Sequence, residues 1–119
     1  MPKKTVLVYD DVEAICEVCQ LILCPYYIVE TRLNCVRLFE DIERVKPDII
    51  LMDYRMPVMN GDLAIRALQE DESTENIPVI LFTAAYDLKK VIKRVKVAGV
   101  LKKPFNIEEL KEVVDKYVR

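Results

Sequence analysis

Histidine is absent from all 119 residues. That excludes the Ser-His and Cys-His nucleophile pairs and argues against a typical zinc site. Any chemistry passing through a phosphohistidine would have to take that histidine from another protein. Long hydrophobic runs are missing too. No segment approaches the ~20 apolar residues that cross a bilayer, and Met-Pro-Lys-Lys leads straight into a strand-like stretch, leaving no room for a signal peptide. A cytoplasmic protein without a membrane partner is expected. Positive charge is not in excess: the formal net charge of −2 at pH 7 argues against direct nucleic-acid binding, which draws on a basic surface. No repeat, low-complexity tract or linker interrupts the chain.

What is present suits one soluble domain over residues 1–119, with 52% hydrophobic and 32% charged residues. A chain of this length buries about two-thirds of its unfolded surface. The cysteines are Cys16, Cys19, Cys24 and Cys35. Cys16 and Cys19 form a C-x-x-C, which opens a metal or redox reading. Both fall within an apolar helical stripe with Ile15 and Ile22, where a cytosolic cysteine serves as a small hydrophobe, and buried core thiols are the expectation.

Short apolar runs alternate with segments of helical period. The runs are Thr5–Tyr9, Tyr27–Thr31, Asp48–Met52, Pro78–Phe82 and Gly99–Lys102. The helical patterns cover Val12–Leu23, Leu33–Val45 (Cys35, Leu38, Phe39 and Ile42 on one face), Asp62–Glu70, Leu88–Ala98 (Leu88, Val91, Ile92 and Val95) and Ile107–Val118. Asn106 with Glu109 reads as a capping box, Asp87 as a cap for the fourth helix, and Gly99 as its closing residue. Apolar strands imply a parallel sheet covered on both faces. Five β-α units with right-handed crossovers make a doubly wound α/β domain, a five-stranded (βα)5 flavodoxin-like sheet. Its expected strand order, 2-1-3-4-5, comes from known doubly wound proteins, which include a member of the family named below.

In such sheets ligands bind beyond the carboxyl ends of the strands, where strand order reverses. Asp10 and Asp11 follow the first strand, Asp53 ends the third, Thr83 and Ala84 end the fourth, and Lys103 and Pro104 follow the fifth; Glu30 lies away from the switch point. Two carboxylates about 4 Å apart repel by roughly 4 kcal/mol at an effective dielectric near 20, and here three converge. Either some take up protons or a cation sits among them. Oxygen-only ligands suit Mg²⁺, and an aspartate is a competent nucleophile toward phosphorus. Mg²⁺, the Lys103 ammonium, the Thr83 hydroxyl and the Ala84 N–H could supply the positioning and charge neutralisation that phosphoryl transfer needs. Taken singly, each residue has a plainer role: Asp10 and Asp11 as helix caps, Asp53 and Arg55 as turn residues, Thr83 as a strand end or helix cap, Lys103 as a solvated lysine.

Together, "VLVYDD", "IILMDYRMPVMNG", "VILFTA" and "KKPF" resemble the receiver domain of two-component response regulators, and the likeness spans essentially the whole chain. It implies that Asp53 accepts a phosphoryl group from a sensor histidine kinase. Asp10, Asp11, Asp53 and the backbone carbonyl of Arg55 would hold Mg²⁺, Thr83 would hydrogen-bond the phosphoryl group and Lys103 would neutralise it. Such a domain catalyses only its own phosphorylation and slow dephosphorylation. It acts as a switch by a population shift between two packings of the fourth helix, fifth strand and fifth helix, the common output face for a protein partner. Homodimerisation on phosphorylation is compatible with this.

Some positions depart from the family pattern. Val100 stands where an aromatic usually swings inward, with Tyr86 as a weak substitute, and Tyr9 stands where a small aliphatic is commoner. Arg55 projects near the site in this family and bears on how fast water removes the phosphate. The fourth helix carries Lys89, Lys90, Lys93, Arg94 and Lys96 with no acid, either a solvated face or a dock for an acidic partner. Two other readings compete: a phosphatase of the haloacid-dehalogenase type, which needs a second acid where Arg55 stands, and a non-phosphorylated interaction module with a vestigial site.

Overall fold

The structure is a computed structural model that describes residues 2–84, 88–94 and 96–118. Strands and helices alternate: β1 (Thr5–Tyr9), α1 (Glu13–Leu23), β2 (Ile28–Arg32), α2 (Leu38–Val45), β3 (Ile49–Asp53), α3 (Gly61–Gln69), β4 (Val79–Ala84), α4 (Leu88–Arg94), β5 (Gly99–Lys103) and α5 (Ile107–Tyr117). The five strands form one sheet in the order β2-β1-β3-β4-β5, and every neighbouring pair is parallel. The expected doubly wound fold and strand order are both present.

The period of two along each strand sorts the core into two layers. Leu7, Tyr9, Ile50, Met52 and Leu81 face α2 and α3, meeting Leu38, Ile42, Ile65 and Leu68. Val6, Val8, Ile49, Leu51, Ile80 and Phe82 face the other way, toward Cys19 and Leu23 of α1 and Leu110 and Val114 of α5. The central strand β3 is buried at all five positions, so its last residue, Asp53, is held by packing on both faces. The edge strand β2 is only partly covered.

Three expectations need correction. The second helix starts at Leu38, not Leu33, because the Asn34 Oδ1 accepts the Val36 N–H at 3.0 Å, a side-chain turn that competes with helix. Cys35 is therefore buried before the helix, its Sγ 3.4 Å from the Met59 carbonyl oxygen, and Phe39 turns outward, 42% exposed. The fourth helix ends at Arg94 and Gly99 opens β5 instead of closing that helix. A Cβ on Gly99 would approach the Tyr117 ring to 2.9 Å, so the residue is small for packing. The capping box at Asn106 and Glu109 is present in full. Asp87, Tyr86 and Val95 lie outside the described residues, as do the side chains of Val91, Ile92 and Arg94.

Candidate functional site

Strand register carries the polar residues to one edge. Tyr9 pairs with Met52, so Asp10, one residue further, stands beside Asp53. Asp53 pairs with Phe82, and Ala84 with Lys103. Asp10 is fully buried and Asp53 is 5% exposed, while Asp11 is exposed. One carboxylate oxygen from each of Asp10, Asp11 and Asp53 lies within 4.8 Å of the others. The Lys103 Nζ sits 2.8 Å from Asp10 Oδ2 and 3.0 Å from Asp53 Oδ1. Sequence separations of 50 and 93 residues thus close into one charge-assisted cluster.

The electrostatics follow from this packing. Burial pushes the Asp53 carboxyl up to about 6; the hydrogen bond from Lys103 opposes that and the Asp10 charge adds to it. Asp53 is accordingly ionised for the most part at neutral pH. Burial alone would lower Lys103, yet its hydrogen bonds to Asp10 and Asp53 overcome that and hold its pKa above the usual lysine value. Lys103 stays a cation among the three acids, shared between Asp10 and Asp53.

Backbone features fix Asp53 further. The Tyr54 N–H donates to the Phe82 carbonyl at 3.0 Å, carrying the ladder past the acid, and the Gly61 N–H donates to the Tyr54 carbonyl at 2.7 Å. A Cβ at Gly61 would come to 2.3 Å from the Asp53 carbonyl oxygen, so only glycine lets α3 start against this strand end. The Met56 N–H donates to Asn60 Oδ1 at 3.4 Å and braces the intervening loop. Within that loop Val58 takes the left-handed region, φ 72°, a conformation that β-branched residues rarely adopt.

Asp10 does not cap α1. Its Oδ1 accepts the Val12 N–H at 2.9 Å, closing a tight turn, and Val12 is the N-cap. The Thr83 hydroxyl, almost fully buried, donates to the Ala84 carbonyl at 3.2 Å. Arg55 is exposed on the wall of a cleft of about 440 Å³, shared with Asp11, Tyr54 and Asn60. Glu30 lies apart from these, paired with Arg32 at 3.5 Å. Val100 is half-buried on β5.

Two contacts escaped sequence reasoning. Tyr9 donates its hydroxyl to Asp41; the polar tip on a strand residue was visible, but nothing marked Asp41 among the charges of its helix. The Cys16 Sγ donates to the Asp10 carbonyl oxygen at 3.3 Å. All four cysteines are free thiols, with Cys24 exposed and the others buried. Burial pushes the thiol of Cys16 up to about 11 and that of Cys19 to about 12, which starves both of the reactive thiolate. Native protein treated with iodoacetamide should therefore label promptly at Cys24 alone, and at all four cysteines once unfolded. Prompt native labelling at Cys16 or Cys19 would contradict the core-thiol reading.

The family model described as "Response regulator receiver domain" matches residues 6–115. The chain belongs to this family. The receiver domain is 36% identical over 110 residues to hybrid signal transduction histidine kinase D of Dictyostelium discoideum, covering 91% of this chain but 7% of that protein. Against several such curated relatives the receiver domain spans only 7% to 18% of their length. Among solved structures, the chemotaxis response regulator CheY4 of Vibrio cholerae matches with a TM-score of 0.87 at 27% identity, covering 98% of this chain and 99% of that one. The receiver domain of sensor histidine kinase PA1611 from Pseudomonas aeruginosa matches with a TM-score of 0.86 at 26% identity over 97% of both chains, and that protein has a magnesium ion coordinated in its active-site cleft.

Proposed function

We propose that this receiver domain of two-component signalling is a phosphoacceptor switch in which Asp53 takes a phosphoryl group from the phosphohistidine of a partner kinase. The observation that carries the reading is the Lys103 ammonium set between Asp10 and Asp53 at 2.8 and 3.0 Å, with the exposed Asp11 completing a three-carboxylate cluster. Those donors are all oxygen and carry more negative charge than one lysine offsets, a set that fits Mg²⁺. Asp10, Asp11, Asp53 and the Arg55 carbonyl would hold it. Once bound, Mg²⁺ supplies charge neutralisation for the phosphoryl oxygens.

The chain's own residues do the rest. An Asp53 oxygen attacks phosphorus in line with the departing imidazole nitrogen, so the P–O bond forms as the P–N bond breaks and the electron pair leaves with the histidine. Lys103, tethered by Asp10, keeps its positive charge beside the transferring group. The Thr83 hydroxyl turns from the Ala84 carbonyl to the phosphoryl oxygen, and the Ala84 N–H adds a second donor. That turn is the local event that biases the packing of α4, β5 and α5. Lys89, Lys90 and Lys93 are exposed on α4, and their charge suits an acidic protein partner on that face. The domain turns over no metabolite, and the cytoplasmic location expected from sequence is part of the same proposal.

Incubation with Mg²⁺ and acetyl phosphate should yield an adduct of one phosphoryl mass that is acid-stable, labile to hydroxylamine and absent from Asp53→Asn. No adduct in the unmodified protein, or one that persists in Asp53→Asn, sinks the proposal.

A further inference from the structure

Tyr9 ends β1, and its peptide bond leads directly into Asp10. Its ring is fully buried in the layer facing α2 and α3. A phenylalanine would fill that space equally well, so the hydroxyl needs its own account. It donates to Asp41 Oδ2 on α2 at 2.8 Å. The second oxygen of the same carboxylate, Oδ1, accepts from Arg32 Nε at 3.4 Å. Arg32 closes β2 in register with Tyr9, and its backbone carbonyl accepts the Asp10 N–H at 3.1 Å.

These links close on themselves. The Asp10 amide binds the Arg32 backbone, the Arg32 side chain binds Asp41, Asp41 binds the Tyr9 hydroxyl, and Tyr9 is bonded to Asp10. The ring joins β1, β2 and α2 at the residue where the β1–β3 ladder ends, since Tyr9 is the last residue paired with β3. Beyond that point the backbone of Asp10 is held on the β2 side, by its bond to the Arg32 carbonyl, while its carboxylate meets Lys103 at 2.8 Å. Burial, reinforced by the Asp41 hydrogen bond, raises the Tyr9 hydroxyl far above the ordinary tyrosine range. It remains a donor at any working pH.

We propose that Tyr9 and Asp41 are positioning residues for Asp10, clamping the Tyr9–Asp10 peptide so that the Asp10 carboxylate is aimed at the cation site before any ion arrives. The proposal rests on the Mg²⁺ reading of the three-carboxylate cluster and adds to it a support on the far side of β1. Ligands held by outer partners lose about tenfold or more in metal affinity when those partners are removed, and a link through one peptide belongs at the lower end of that range.

The test compares Tyr9→Phe, Asp41→Ala, their double variant and Val114→Ala in the full chain. Val114 lies in the opposite core layer, in α5, so its truncation destabilises without touching the ring. Mg²⁺ dissociation constants come from calorimetry, and exchange of the Asp10 amide is followed by NMR in metal-free protein. Tyr9→Phe should weaken Mg²⁺ binding about tenfold and speed Asp10 amide exchange; the double variant should be no weaker than the weaker single, and Val114→Ala should bind Mg²⁺ within about twofold of the unmodified protein. Wild-type Mg²⁺ affinity in Tyr9→Phe, or an equal loss in Val114→Ala, overturns the inference. If the unmodified protein binds no Mg²⁺ at all, the metal reading itself fails, and unchanged Asp10 amide protection in Tyr9→Phe then overturns the clamp independently.

Discussion

Lys103→Ala should unfold about 10 °C earlier than the unmodified protein in EDTA at neutral pH, and Mg²⁺ should restore much of that loss. Lys103 is the cation shared by the fully buried Asp10 and the nearly buried Asp53. Taking away one partner of a buried ion pair costs about 3 kcal/mol or more, because the remaining charge stays desolvated. A domain of this size converts each kcal/mol into about 4 °C. A divalent ion replaces the missing positive charge, which is why the variant should respond to Mg²⁺ more strongly than the parent does.

The pH dependence has a definite sign. Burial already holds the folded Asp53 at about 6, above the unfolded value of about 3.9, and loss of the Lys103 hydrogen bond raises it further. The folded state of the variant therefore takes up a proton more readily than its unfolded state. Its deficit is greatest at neutral pH and shrinks as pH falls through the folded value, because a neutral Asp53 no longer needs the lysine. Phosphorylation by acetyl phosphate should also slow about 100-fold, the scale on which one preorganised charge-stabilising donor acts. Thermal melts by circular dichroism at pH 7 and pH 5, with and without Mg²⁺, check the stability claims. A variant as stable as the parent in EDTA at pH 7 would show that the carboxylates are not held by Lys103.

Gly61→Ala is the second large effect, and it is steric. The added Cβ would sit 2.3 Å from the Asp53 carbonyl oxygen and 3.1 Å from Met52 Cγ. The first is backbone of a strand buried at every position, so α3 must move instead. That strains the Gly61 N–H bond to the Tyr54 carbonyl and shifts the loop containing Arg55. Overpacking of this kind costs about 3 kcal/mol. The expected outcome is a fall of about 10 °C in Tm, and a loss of phosphorylation rate that persists at saturating Mg²⁺ because the loop between Asp53 and α3, which borders the site, has moved with the helix. A Gly61→Ala protein with the parent's melting temperature would mean that α3 does not press on β3 as described.

The elements most legible in the sequence were those whose local signal and tertiary role agree. β1 matches its apolar run residue for residue, and the Asn106–Glu109 box sits where its spacing indicates, since both are settled by neighbours in the chain. The start of the second helix is not legible in the sequence, because Cys35 and Leu38 are both buried and fit a helical stripe, while the Asn34 turn before the helix is worth only one hydrogen bond. Phe39 fits the same stripe but faces outward, because α2 presents Leu38 and Ile42 to the sheet.

The candidate site divides along the same line. Composition and order alone determined the doubly wound α/β class, the absence of any internal histidine, and the gathering of Asp10, Asp11, Asp53, Thr83 and Lys103 at strand ends. A parallel sheet with alternating helices sends every strand's carboxyl end to the same edge whatever the side chains are. Tertiary structure alone decided that Lys103 bridges Asp10 and Asp53, that Gly61 must lack a side chain, and that Tyr9 reaches Asp41. Those depend on distances between segments far apart in the chain, which register and packing set and which no local pattern encodes.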